Sequence, residues 1–228
     1  MRGNYVVLVD VDFLKAEGAK AIGLDRDRLI FDGAACIEWC NRFFLDRRFA
    51  SLAALFAERA FLRAYWYDAA FDPTDRRYQA QRAAFEALAM VPGVSLRLGH
   101  LQERTPGWQR GVRKAVQACG VRLSDFQQHF EFRPELEQKG VDALMALDMA
   151  NLSRDRAADL IVLVSGDRDL EEAIRSAQSV GCRVVLAHPA TAGVAVTLRQ
   201  LADARLSIDA ADLQRMLVSG RPPGVAAA

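Results

Sequence analysis

The stretch DLIVLVSGDRDLEEAIRSAQSVGCRVVLA, residues 159–187, constrains the fold more than any other part of the chain. Apolar residues Leu160 to Val164 run without polar alternation into Ser165, Gly166 and Asp167. Such a run fits a strand buried on both faces. Asp169 then stands at the start of an amphipathic helix, and CRVVLA opens a second apolar strand at Cys182. Strand, helix and strand in succession form a βαβ unit, which needs a parallel sheet covered by helices.

The rest of the chain extends that unit. YVVLVD, residues 5–10, is another buried strand ending in an acid. Two helices are expected over 29–59, a strand at FLRAYWYDA, a helix over RRYQAQRAAFEALAM before Pro92, and a strand at VSLRLGHL. A helix begins near Val141, and a helix, a short strand and a helix follow strand CRVVLA in GVAVTLRQLA, RLSID and AADLQRMLV. The predicted fold class is α/β, a three-layer α/β/α sandwich with a mainly parallel, Rossmann-like central sheet. One domain is expected over 1–218, with an irregular excursion at about 102–138 and a disordered tail at 219–228.

Composition removes several classes of function. The formal charge of +1 gives no global field for nucleic acid or anionic membrane, so any such binding needs a local patch. Lysine occurs only at Lys15, Lys20, Lys114 and Lys139, and an arginine-rich balance fits either planar phosphate recognition or a GC-rich genome. Cys36, Cys40, Cys119 and Cys182 lack CxxC spacing and histidine neighbours, as in reduced core thiols. His100, His129 and His188 do not cluster in sequence. NYVVLVDVDF carries neither leader-peptide features nor a membrane-length apolar run, so a cytoplasmic protein with no membrane partner is expected.

Acids ending buried strands draw attention because ligands of open parallel sheets sit at the strands' carboxyl ends. Asp10 and Asp167 end strands on one predicted rim, with Asp169 after the second and Asp142 in the first turn of its helix. Asp142 and Asp169 also suit helix starts, where a carboxylate complements the dipole. Clustered carboxylates repel one another, so a fold keeps them where a cation neutralises them. An oxygen-only donor set without histidine or cysteine suits Mg²⁺ or Mn²⁺ rather than zinc. Asp148 lies six residues beyond Asp142, on a different helix face, and fits a supporting role.

LVDVDFL, RAYWYDA, LRLGHL, KGVDALMALDM and ADLIVLVSGDRDLEEAIRSAQSVGCRVVLA occur in an order and spacing that resemble NYN domains, PIN-like nucleases related to LabA and the DUF88 proteins. The resemblance spans about residues 5–210. It implies a PIN-like α/β/α fold and metal-dependent hydrolysis of RNA phosphodiester bonds. Asp10, Asp142, Asp167 and Asp169 match the family's catalytic and metal-binding acids, and Asp148 matches its second helix acid. The usual Asp-x-x-Asn after the first strand is Asp10-Val11-Asp12-Phe13 here, so the amide is replaced by Phe13 and Asp12 is a nearby polar group. The usual SGDGDF is SGDRDL, which places Arg168 and Leu170 at the glycine and phenylalanine positions and keeps Ser165.

Two other functions compete with a ribonuclease. VVLVDVDFL also resembles the Asp-x-Asp motif of HAD phosphatases, with Asp10 as nucleophile and Asp12 as acid/base, although Phe13 and Leu14 follow where small and hydroxyl residues are usual. The third reading is a non-catalytic RNA-binding or interaction module whose site has decayed at Phe13. For substrate contact, Arg104, Arg110, Arg113 and Lys114 interleave with Trp108, a combination suited to single-stranded RNA or, equally, to a solvated helix anchored by one tryptophan. Arg76 and Arg77 could line the same rim. Apolar helix surface over 29–59 offers a face for a homodimer.

Overall fold

β-Branched and aliphatic residues with no polar interruption make the two strands at the centre of the sheet. In a computed structural model, which describes residues 3–26, 29–42, 47–104, 107–127 and 135–218, β1 (Gly3–Asp10) pairs in parallel with β5 (Leu160–Val164). Every residue of β5, and β1 from Tyr5 onward, is buried. On one side β1 pairs with β2 (Arg59–Ala70), which pairs with β3 (Val94–Arg104), both in parallel. On the other side, β5 is followed in parallel by β6 (Arg183–Pro189) and β7 (Ala204–Ile208). The seventh strand, β4 (Glu135–Lys139), lies antiparallel against the far end of β3, giving the order β4-β3-β2-β1-β5-β6-β7.

Alternation along these strands feeds two cores. Tyr5, Val7 and Val9 join Val162, Val164, Leu206 and Leu213 on one face. That face is covered by α1 (Val11–Ile22), α2 (Gly33–Arg42) and α10 (Ala210–Met216), with Leu88 of α4 (Tyr78–Ala89) packed on its margin. Val6 and Leu8 join Ile161, Leu163 and Leu186 on the other face, under α7 (Val141–Arg154), α8 (Glu171–Ser179) and α9 (Val196–Leu201). The result is the expected α/β/α arrangement with a mostly parallel sheet. Among the described residues no helix is long and apolar enough to cross a membrane.

Two regions differ from the expectation. The segment 29–59 holds α2, a 3₁₀ turn over Arg47–Leu52 and the single turn α3 (Ala53–Phe56), rather than two full helices. The excursion at 102–138 is more regular than its mixed composition indicates. β3 runs on to Arg104, α5 (Gly107–Ala118) and α6 (Leu123–Gln127) follow, and β4 returns to pair with the extension. Residues 219–228 and His129 lie outside the described residues.

The path from β4 into α7 sets where Asp142 stands. Gly140 has a φ of +83°, a left-handed conformation that glycine adopts without strain, and α7 starts directly after it. The chain there crosses over Gly99 of β3 so closely that a Cβ on Gly99 would lie 2.4 Å from the Lys139 carbonyl oxygen and 2.9 Å from Val141 Cγ2. Gly99→Ala is therefore expected to destabilise the fold by about 1–3 kcal/mol, as overpacking does. Gly111→Ala in α5, with open space around the added methyl, is expected to be neutral or slightly stabilising. Urea denaturation of the two variants measures the contrast, and equal midpoints would refute the close crossing.

Candidate functional site

Strand order reverses between β1 and β5: the chain builds outward from β1 through β2 and β3, and outward from β5 through β6 and β7. The carboxyl ends of these two strands therefore frame the crevice where doubly wound sheets place their ligands. Val9 is paired with Val164, so Asp10 and Ser165 emerge side by side.

Asp10 is 8% exposed and caps α1, its Oδ1 accepting from Phe13 N at 3.1 Å. Its Oδ2 accepts from the fully buried Ser165 hydroxyl at 3.2 Å. Ser165 Oγ in turn accepts from Asp167 N at 3.2 Å, so one hydroxyl ties the two strand ends together. Asp167 caps the 3₁₀ turn Arg168–Leu170 by accepting from Asp169 N at 2.9 Å. Asp142 approaches from the first turn of α7 on the same face.

The electrostatics show that these groups feel one another. Burial pushes the Asp10 carboxyl up to about 6, and the charges of Asp142 and Asp167 add to the rise. Asp142 is raised by burial and by Asp167 and Asp169. Among the described residues, none of the four forms an ion pair with Arg, Lys or His. Their oxygen donors suit a hard divalent cation in chemical type. As they stand, however, no three His, Cys, Asp or Glu side chains among the described residues are gathered into a metal-ligand group. Ion binding would require the carboxylates to turn toward one another.

The supporting residues fall in different places. Phe13 packs on Gly166, where an added Cβ would meet its ring at 2.4 Å, so the phenyl group covers the SGD turn. Arg168 is exposed and turns to Glu171 at 3.2 Å, away from any described acid of the four. Glu171 also accepts from the Thr197 hydroxyl. Asp148 is clamped by Arg97, with Nε and Nη2 at 2.9 and 3.1 Å, and by the Tyr67 hydroxyl at 2.8 Å. It fastens α7 to β2 and β3. Asp12 faces away from Asp10, paired with Arg26 in a separate cleft of about 740 Å³.

On the excursion, Trp108 is 54% exposed at the start of α5, with Arg110 and Lys114 exposed and Arg113 half-buried. Arg104, at the end of β3, pairs with Glu137 of β4 at 3.5 Å. Arg77 binds Asp75 through Nε at 3.0 Å and Nη2 at 2.7 Å, and lies over the Phe71 ring. The sequence reasoning missed Asp68, a buried acid at the end of β2. Its signal was available: YWYDA ends an apolar run in an acid as YVVLVD does.

This geometry defines a doubly wound α/β/α protein with, among the described residues, an acid group that has no cationic partner at its switch point. A family model described as NYN domain matches residues 40–209, and the chain belongs to that family. The matched range includes Asp142, Asp167 and Asp169, while Asp10 precedes it. Uncharacterized protein y4oD from Sinorhizobium fredii is 41% identical over 83 residues, 36% of this chain and 39% of that protein. The chain thus matches only about two fifths of that relative's length. The fold is similar to the crystal structure of a protein of unknown function, VPA0982, from Vibrio parahaemolyticus, with a TM-score of 0.52 and 19% identity. That similarity covers 95% of this chain and 97% of the other.

A carboxyl whose folded value lies above its unfolded value costs stability once ionised. For Asp10 this cost is absent below about pH 4, grows between about 4 and 6, and is fully present above. In chelator-treated protein, Asp10→Asn is expected to raise stability above pH 7 by on the order of 2 kcal/mol, because the amide keeps the cap and loses the charge. The gain should vanish below about pH 4. Thermal melts across pH measure it, and a variant less stable than wild type at pH 8 would contradict the burial account.

Proposed function

We propose that the protein is a divalent-metal-dependent ribonuclease whose ion is held by Asp10, Asp142, Asp167 and Asp169, with Mg²⁺ or Mn²⁺ as the ion. The observation that carries the reading is the set of mutually repelling carboxylates at the switch-point crevice, none of them paired with a described cation. Membership of the NYN family supports a nuclease-type fold. When bound, the ion would neutralise the acids, hold a phosphate oxygen and acidify an attacking water.

The chain's own residues do the positioning. Ser165 fixes Asp10 relative to Asp167 through two hydrogen bonds. Phe13 donates its backbone N–H to Asp10 and lays its ring on Gly166, in place of the family's usual amide. The Arg97–Asp148–Tyr67 clamp holds α7, and with it Asp142, against the sheet. Trp108, Arg110, Arg113 and Lys114 of α5, together with Arg104, supply a basic surface with one exposed aromatic for single-stranded RNA. A phosphatase would need Asp10 and Asp12 on the same phosphate, but Asp12 is turned to Arg26.

Asp10→Asn and Asp167→Asn are expected to lower Mg²⁺- or Mn²⁺-dependent cleavage of single-stranded RNA by about 100-fold or more, with an unchanged circular dichroism spectrum. The same variants should lose Mn²⁺ binding followed by electron paramagnetic resonance. Cleavage equal in wild type and both variants would refute the assignment. A folded wild type that binds RNA but neither Mn²⁺ nor Mg²⁺ would favour the non-catalytic module. Trp108→Ala should weaken single-stranded RNA binding about tenfold, and unchanged affinity would remove α5 from the interface.

A further inference from the structure

The cleft that receives Asp12 lies on the opposite side of the sheet rim from the acid group. Asp10 is paired with Tyr67, so Asp68 stands one residue further along the neighbouring strand. Alternation sends the two carboxylates to opposite faces: Asp10 follows Leu8 toward α7, and Asp68 follows Trp66 toward α1. Adjacent strands are only about 4.8 Å apart. The cleft and the acid group therefore open from neighbouring strands at one rim.

The cleft has a floor, a flat wall and balanced charge. Asp68 is 9% exposed and lines it. Asp68 Oδ1 accepts from Ala69 N at 2.8 Å and meets Gln138 Nε2 at the long distance of 3.5 Å. Oδ2 has the Lys15 ammonium at 3.6 Å and accepts no hydrogen bond from a described residue. An ionised carboxylate offers about four acceptor positions, so this buried group retains unused capacity. Arg77, held flat by Asp75, lies 4.1 Å over the Phe71 ring and makes a stacked face beside it. The cations Lys15 and Arg26 are opposed by Asp68 and Asp12, so the cleft is polar without being a polyanion trap.

We infer that this cleft binds one unpaired nucleotide of the RNA substrate, with its base against the Arg77–Phe71 face and its exocyclic amino group donating to Asp68. The inference rests on the ribonuclease reading for its substrate class. A carboxylate that only accepts favours adenine, cytosine or guanine, each of which carries an amino donor. Uracil turns carbonyl oxygens toward the same group, flanking its single N–H, and is disfavoured. A base within a duplex has that edge occupied, so the cleft selects unpaired RNA.

The test is fluorescence anisotropy of labelled oligo(A), oligo(C) and oligo(U) of equal length, with chelator present so that nothing is cleaved. Wild type should bind oligo(A) and oligo(C) about tenfold tighter than oligo(U). Asp68→Asn should abolish or reverse that preference, because an amide can donate to a uracil carbonyl. A merely structural Asp68 would instead change all three affinities equally. Arg77→Ala, on an exposed turn, should weaken all three about tenfold by removing the stacking face. Equal affinities in wild type, a preference that survives in Asp68→Asn, or unchanged binding by Arg77→Ala would overturn the inference. Cleavage with metal restored separates the two proposals. Base preference without cleavage sinks the ribonuclease reading alone, and cleavage without base preference sinks the cleft alone.

Discussion

The parallel pairing of β1 with β5 is the constraint on which the rest of the structure depends. Both strands are buried on both faces over most of their length, so the chain becomes polar at their ends, and the carboxyl ends face the crevice. Asp10 and Ser165 take those positions, and the hydrogen bond between them couples the two halves of the sheet at the point where strand order reverses. Everything that approaches the crevice is placed relative to that junction. α1 starts on the Asp10 cap, the turn to α8 starts on Asp167, and α7 crosses above through Gly140.

Three other shielded acids among the described residues show what compensation looks like. Asp148 has an arginine fork and a phenol, Asp203 has Arg183, Gln178 and a backbone amide, and Asp212 has Arg215 and a reciprocal cap with Asp209. Buried charges are ordinarily stabilised by such partners. Asp10 has only neutral donors and faces further carboxylates, which raise its pKa instead of lowering it. The contrast sets the switch-point acids apart from acids that hold the fold together.

Much of the architecture was legible because period-2 and unalternated apolar runs are local signals. The strands around YVVLVD, RAYWYDA, LIVLV and CRVVLA fall where the pattern places them. The excursion was not legible, because β4 is a polar edge strand whose ladder, among the described residues, is to the extension of β3 alone. ELEQK carries no apolar alternation to announce it. The single turn α3 fell short of a full helix despite apolar spacing, since the chain turns there to enter β2.

The sequence by itself determined which residues are acids at strand ends, since burial of the preceding run forces polarity to begin there. It also marked Gly166 within SGDRD. Only the tertiary structure decided which acids share a face. Asp10 and Asp12 are two residues apart, yet a helical turn directs one to Ser165 and the other to Arg26. Asp142 and Asp148 lie on one helix, yet only Asp148 meets Arg97. Arg168 sits between two of the acids in sequence and turns to Glu171 in space. Local periodicity gives the face a side chain leaves from, but the partner it meets depends on packing between elements distant in the chain.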